Sequence, residues 1–269
     1  MTDDIAHGFD LRTMDPKQRY KALVEFQSTR HDEFMKSRNR CPKCVLLNDF
    51  CVCGKLDDLR IDSNRYRVAV LMHQKEMYRS SNTVKAIERV MGAEVFVDGL
   101  ADDNERFNKL IAENRSNTIV LFPSEDASEW DTYKQASGNP ERILIVVVDG
   151  TWRQARRLNY IIPAEIPRVK ITPTTLSKFL CRRQATEDRV CTIEALSLLF
   201  QEIGETEISS HLDKGLSTIQ EGYNSQCYGS THRPSSMLKG GPNGRVKLQL
   251  HPEALIVESE KHFIRKNLN

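Results

Sequence analysis

The 269-residue chain has no apolar run near the length of a membrane span and no apolar stretch following a basic start. A bilayer-crossing helix needs about 20 mostly apolar residues, so the sequence predicts a cytosolic protein with no membrane partner. It also lacks a large charge of either sign: 39 Lys and Arg against 37 Asp and Glu leave a formal net charge of +2, a total that does not announce a nucleic-acid binder. No internal repeat is evident. Hydrophobic residues at 39% and charged residues at 28% are ordinary for a globular chain. The length suffices for one α/β core with a small accessory module.

What is present is unevenly placed. Between Thr151 and Arg183 the basic residues are Arg153, Arg156, Arg157, Arg168, Lys170, Lys178, Arg182 and Arg183, against Glu165 alone. Such local excess is the footprint of a polyanionic partner. Just before it, Ile143 to Val148 form a β-branched apolar run that reads as a strand buried on both faces. The run stops at Asp149-Gly150, and the pattern turns helical at Thr151. Thr151 can cap, Trp152 and Ala155 can face inward, and Arg153, Arg156 and Arg157 share one helix face.

Elsewhere strands and helices alternate. YRVAVLMH, AEVFVDG, NTIVLFPS, RILIVVVDG and PRVKIT read as strands. SNTVKAIERVMG closed by Gly92, DDNERFNKLIAENR, TWRQARRLNYII ended by Pro163, and CTIEALSLLFQEIG read as helices. The expectation is an α/β fold: a mostly parallel sheet with helices on both faces, and ligands beyond the C-terminal strand ends. Four regions follow: a polar helical segment over 1–40, solvated or RNA-facing; a four-cysteine module over 41–60; the main domain over 61–205; and a helix with a tail over 206–269.

Seven cysteines in a reducing compartment are metal ligands, buried small residues or reactive thiols sooner than disulfides. Cys41-x-x-Cys44 and Cys51-x-Cys53 put four thiolates in one short segment, a set that can close a tetrahedral Zn²⁺ site. Fully protein-ligated, that site is structural; free thiols or a redox pair are the other reading. Cys181, Cys191 and Cys227 lack partners at ligand spacing and read as buried or incidental thiols, with a reactive Cys181 as the alternative.

DGTW followed by RQARR, with LMHQKEMYRSSNT, LFPSEDA and LCRRQATEDRVCTIEA in order, resembles the motif series of the DTW-domain proteins, from about Cys41 to Gly204. The four-cysteine cluster in front is like that of its bacterial members. Where relatives often have Pro-Thr-Asn-Thr-Gly, this chain has Ser80-Ser81-Asn82-Thr83-Val84; where they have Ser-Thr-x-Glu, it has Cys191-Thr192-Ile193-Glu194. The resemblance implies a SPOUT-like fold with a C-terminal knot. It also implies a tRNA-uridine aminocarboxypropyltransferase, which moves the 3-amino-3-carboxypropyl group of S-adenosylmethionine to uridine N3, the variable loop of tRNA being favoured. A SPOUT-type RNA methyltransferase and a non-catalytic zinc-ribbon RNA-binding or ribosome-assembly protein are the competing readings. No patch in the sequence demands a dimer.

A sulfonium is already an activated leaving group, so the chemistry asks mainly for orientation and a proton acceptor. Asp149 is the expected acceptor for the N3 proton, a cofactor ligand or helix cap being its alternatives, and Trp152 stacks on adenine or uracil or packs in the core. For the cofactor the expected contacts are Leu121, Pro123, Ser124, Glu125, Asp149, Gly150, Thr151, Thr192 and Glu194. For RNA they are His73, Arg79, Arg153, Arg156, Arg157, Arg182 and Arg183.

Overall fold

The computed structural model of the chain describes residues 5–6, 9–10, 14–138, 140–173, 176–179, 181 and 189–228. Short strands β1 (Ile5–Ala6) and β2 (Phe9–Asp10) pair antiparallel and precede α1 (Pro16–Ser37). The cysteine segment holds α2 (Cys53–Asp57). Then come β3 (Tyr66–His73), α3 (Val84–Met91), β4 (Glu94–Asp98), α4 (Ala101–Glu113), β5 (Thr118–Leu121) and α5 (Trp130–Ser137). The chain continues through β6 (Ile143–Asp149), α6 (Trp152–Ile161), β7 (Arg168–Val169), α7 (Thr192–Ile203) and α8 (Thr206–Tyr228).

The five core strands form one parallel sheet in the order β4-β3-β6-β5-β7. Central β6 shows why two layers of helices are needed: all seven of its residues are buried, and successive side chains point to opposite faces. Ile143, Ile145 and Val147 join one core with Ile87 and Val90 of α3, Trp130 and Tyr133 of α5, and Ile193 and Leu196 of α7. Leu144, Val146 and Val148 join the other with Phe107 and Leu110 of α4 and Leu158 of α6. The helix α5 was not foreseen. Its signal is short: Trp130 and Tyr133 one turn apart, with Gly138 in the left-handed conformation (φ +70°) just beyond Ser137.

β7 is shorter than PRVKIT suggests, and its first residue, Arg168, also ties down the end of α6. Its guanidinium is buried and donates to the carbonyls of Asn159, Ile162, Pro163 and Ile166 at 2.7 to 3.0 Å, and to Asn159 Oδ1 at 3.2 Å. It thereby satisfies the open C-terminal carbonyls of α6. Arg168→Met removes donors from several buried acceptors and is expected to cost roughly 3 kcal/mol in chemical denaturation. A change below about 0.5 kcal/mol, the size of an ordinary surface substitution, would show that water replaces the guanidinium freely.

α1 is not merely solvated. Val24 and Met35 are buried, and Gly99 (φ +100°) lets the helix approach so closely that a Cβ there would lie 2.8 Å from Tyr20 Cε1 and Val24 Cγ2. The cysteine segment likewise shares the first core. Leu46, Val52 and Leu56 are buried with Leu212, Leu216 and Ile219 of α8, against Gly222, where a Cβ would fall 2.6 Å from Val52 Cγ1.

Candidate active site

From β3 the chain leaves toward β4, and from β6 it leaves toward β7, on the other side of the sheet. Between two such strands the connections part and open a crevice at their C-terminal ends. A cavity of about 480 Å³ lies there, within the size range of small-molecule sites.

Asp149, 6% exposed, ends β6 at this point. Its Oδ2 accepts from Asn82 Nδ2 at 2.7 Å and its Oδ1 from Thr192 Oγ1 at 2.5 Å. Asn82 is buried and itself fixed, since its Oδ1 accepts from the Val84 N–H at 2.8 Å and opens α3. Thr192 is the first residue of α7. Two segments distant in sequence are thus tied to the carboxylate of a third. The start of α6 is closed separately by a capping box, with Gln154 Oε1 accepting from the Thr151 N–H at 2.8 Å. Gly150 permits the turn: a Cβ there would meet Gln154 Cβ at 2.9 Å and His73 Cβ at 3.3 Å.

Of the residues expected to meet the cofactor, Leu121, Pro123, Asp149, Gly150, Thr151 and Thr192 line this cavity. Trp152, Arg153 and Arg79 line it too. The indole of Trp152 lies 6.3 Å from the Phe122 ring, and the Arg189 guanidinium sits 4.4 Å over its face. Sequence reasoning missed Arg189, Phe179 and Asn82 as lining residues; nothing local in the sequence marks any of them as partners of the DGTW turn.

Other expected residues lie elsewhere. Glu194 is buried and spends its carboxylate on structure, accepting from Ser177 Oγ at 2.6 Å, the Lys178 N–H at 2.5 Å and the Cys191 N–H at 2.8 Å. Ser124 shapes the turn after β5, its carbonyl accepting from the Ala127 N–H at 3.1 Å. Glu125 is exposed beside it. His73 is buried, and its Nδ1 accepts from the Lys75 N–H at 3.2 Å, which leaves the ring proton on Nε2 when neutral. Burial, and then the charge of Arg157, push its pKa below the usual value, so it is neutral at pH 7.

The three-arginine face divides. All three are exposed, but Arg157 also pairs with buried Asp98 and lies 4.8 Å over the ring of Tyr20, whose hydroxyl donates to the same carboxylate. Arg182 and Arg183 lie outside the described residues.

The sulfurs of Cys41, Cys44, Cys51 and Cys53 all fall within 4.8 Å of one another, with Cys41 to Cys53 at 3.7 Å and Cys44 to Cys51 at 3.8 Å. A tetrahedron with metal–sulfur bonds of about 2.3 Å has an edge of about 3.8 Å, so the set fits zinc. Burial pushes the Cys44 and Cys53 thiols up, whereas at Cys41 hydrogen bonds from the Cys44 and Lys43 backbone outweigh burial and bring the pKa to about 7. After Cys44 the chain turns at Val45 in the left-handed region (φ +64°), a costly conformation for a β-branched residue. It is held by the Cys41 N–H to Leu46 carbonyl bond at 2.8 Å and the Val45 N–H to Cys41 carbonyl bond at 2.9 Å.

Among the described residues no helix is long and apolar enough to cross a membrane. No solved structure matches the chain. It is 26% identical over 163 residues to tRNA-uridine aminocarboxypropyltransferase 2 of Drosophila melanogaster, an alignment covering 58% of this chain and 63% of the relative, so it spans somewhat under two thirds of that protein's length. The DTW domain matches residues 38–224, which contain the cysteine set, the sheet and the Asp149 cavity, and the chain belongs to the DTW-domain family.

Proposed function

We propose that this chain is a tRNA-uridine aminocarboxypropyltransferase that uses S-adenosylmethionine and releases methylthioadenosine, acting on N3 of a uridine, with the variable loop as the favoured region. The name of the Drosophila relative supports the reaction class. The observation that carries the site is the Asp149 carboxylate, fixed by Asn82 and Thr192 in the cavity at the sheet's switch point.

When bound, S-adenosylmethionine supplies a γ-carbon activated by its sulfonium. The backbone around Leu121 and Pro123, together with Gly150 and Thr151, forms the wall that holds it. Trp152 presents an aromatic face, already polarised by Arg189, for a base. Asp149 accepts the proton that uridine N3 loses as the new N–C bond forms. Glu194 acts at one remove, fixing the loop at Ser177 and Lys178 beside α7. The four cysteines hold one structural zinc, and the SPOUT-like knotted ending belongs to the same reading through the family resemblance alone. The four-part division of the chain is kept as a description of roles, the cysteine module serving the RNA side.

Incubation of purified protein with S-adenosylmethionine and unmodified tRNA, followed by mass spectrometry of nucleosides, tests the reading. Aminocarboxypropyluridine with methylthioadenosine is the expected outcome. S-adenosylhomocysteine with a methylated base would make it a methyltransferase instead, and no cofactor binding would leave the zinc-ribbon RNA-binding reading.

Arg153 and Arg156 meet tRNA phosphates. Replacing both by alanine is expected to raise KM for tRNA and reduce the slope of log affinity against log salt by up to about 2, since each phosphate contact contributes about 0.9. Arg157→Ala instead lowers the melting temperature, because it strips the buried Asp98 of its cation. An unchanged salt slope in the double variant would return both side chains to an ordinary solvated face.

A further inference from the structure

A second cavity, of about 300 Å³, lies between α1 and the loop that follows β3. Its apolar lining comes from Val24, Met77 and Leu100. His31 and Tyr78 contribute a stacked pair of rings, with centroids 4.3 Å apart and planes inclined by 22°. Ser28 Oγ lies 3.0 Å from the Tyr78 hydroxyl, and Gln74 adds an amide. Two exposed cations, Lys75 and Arg79, complete it. Arg79 also lines the Asp149 cavity, so the two cavities meet at that side chain. The nearby acid, Glu76, is buried on the Asp149 side, 3.5 Å from Arg79 Nε. The close approach at Gly99 and the bond from Tyr20 to Asp98 seat α1, so the cavity is built by packed elements.

We infer that this second cavity takes the nucleotide adjoining the target uridine, with Arg79 on the phosphate that joins the two. The inference rests on the tRNA-uridine reading above. A uridine whose N3 reaches Asp149 has left its stack, which also exposes a face of its neighbour. Unstacked bases are held by aromatic and apolar faces combined with cations for the backbone, and their edges are read by short polar groups. Rings, apolar lining, the Gln74 amide, the Ser28 hydroxyl and two cations supply that set, one side chain away from the Asp149 cavity. A small inorganic anion would use the cations but neither the rings nor the apolar lining.

The test uses the full chain, S-adenosylmethionine and two tRNAs that carry an abasic ribose on the 5′ or the 3′ side of the modified uridine, once mass spectrometry has located it. In the wild-type protein one of the two abasic tRNAs is expected to lower kcat/KM roughly 5- to 100-fold, the range for losing one base–aromatic stack. In His31→Ala with Gln74→Ala intact tRNA is worse by a similar factor, and the same abasic change then costs less than about twofold. S-adenosylmethionine affinity stays at the wild-type level, and His31→Ala alone repeats the pattern more weakly should the double variant loosen α1. Equal abasic penalties in wild type and variants, or none in wild type, overturn the inference while leaving the tRNA-uridine reading intact. A wild-type protein that modifies no tRNA overturns both.

Discussion

Asp149→Asn is expected to keep the fold and S-adenosylmethionine affinity while lowering turnover by roughly 10²–10⁴-fold, the range for loss of a general base. The fold survives because the amide can keep its bonds to buried Asn82 and half-buried Thr192. Its oxygen accepts from Asn82 Nδ2, its nitrogen donates to Thr192 Oγ1, and the threonine hydroxyl turns to accept. What the amide cannot do is take a proton. In the native side chain, anchoring by Asn82 and Thr192 is combined with the capacity of a carboxylate to take a proton. The loss should fall on kcat and leave KM for tRNA near its original value, since a proton acceptor acts only as charge develops in the transition state. Turnover close to wild type would reduce Asp149 to a structural tie between β6, α3 and α7. Loss of S-adenosylmethionine binding would make it a ligand of the cofactor.

Loss of the proposed zinc should cost the whole molecule, not a detachable appendage. Cys41→Ser with Cys44→Ser takes two of four ligands from a site whose sulfurs already stand at the edge length of a zinc tetrahedron. The double variant is expected to lose its zinc and at least about 5 kcal/mol of stability, a fraction of the roughly 10–16 kcal/mol by which zinc folds small modules. At about 2–4 °C per kcal/mol for a domain of this size, the melting temperature falls by 10 °C or more. The reason is where the segment lies: Leu46, Val52 and Leu56 belong to the core that α3, α7 and α8 share, and the Leu47 N–H donates to Gln226 of α8 at 2.7 Å. The strained turn at Val45 has less to hold it once the metal is gone. Zinc at full occupancy in the double variant, measured by elemental analysis, would remove the four-cysteine site. An unchanged melting temperature would detach the segment from the core.

Much of the scaffold was legible from local pattern. The strand YRVAVLMH spans the observed β3, and the run from Ile143 ends at Asp149 as its composition suggests. Gly92 (φ +62°) stands just past α3 where a left-handed residue was expected, and Thr151 caps α6. These features depend on side-chain period and on the φ a residue tolerates, both of which are written in neighbouring residues. α5 escaped because its inward face is only Trp130 and Tyr133, and its flank SEDASEW reads as a turn. α1 was seen as a helix, but its packing was not, since Val24 and Met35 are too sparse to form a visible stripe and Gly99 alone allows the approach.

By itself the sequence determined the alternation of strands and helices, the place where a buried strand meets a carboxylate and a glycine, and the four thiols grouped within one short segment. Tertiary structure alone decided what each polar side chain is for. Arg153, Arg156, Arg157 and Arg168 look alike in the sequence, yet exposed Arg157 neutralises Asp98 and buried Arg168 closes the end of α6. Asp149 finds Asn82 across 67 positions and Thr192 across 43. Periodicity encodes which face a residue takes within its own element, but a hydrogen bond needs two atoms within about 3 Å, and that proximity arises only when the sheet order sets distant segments side by side.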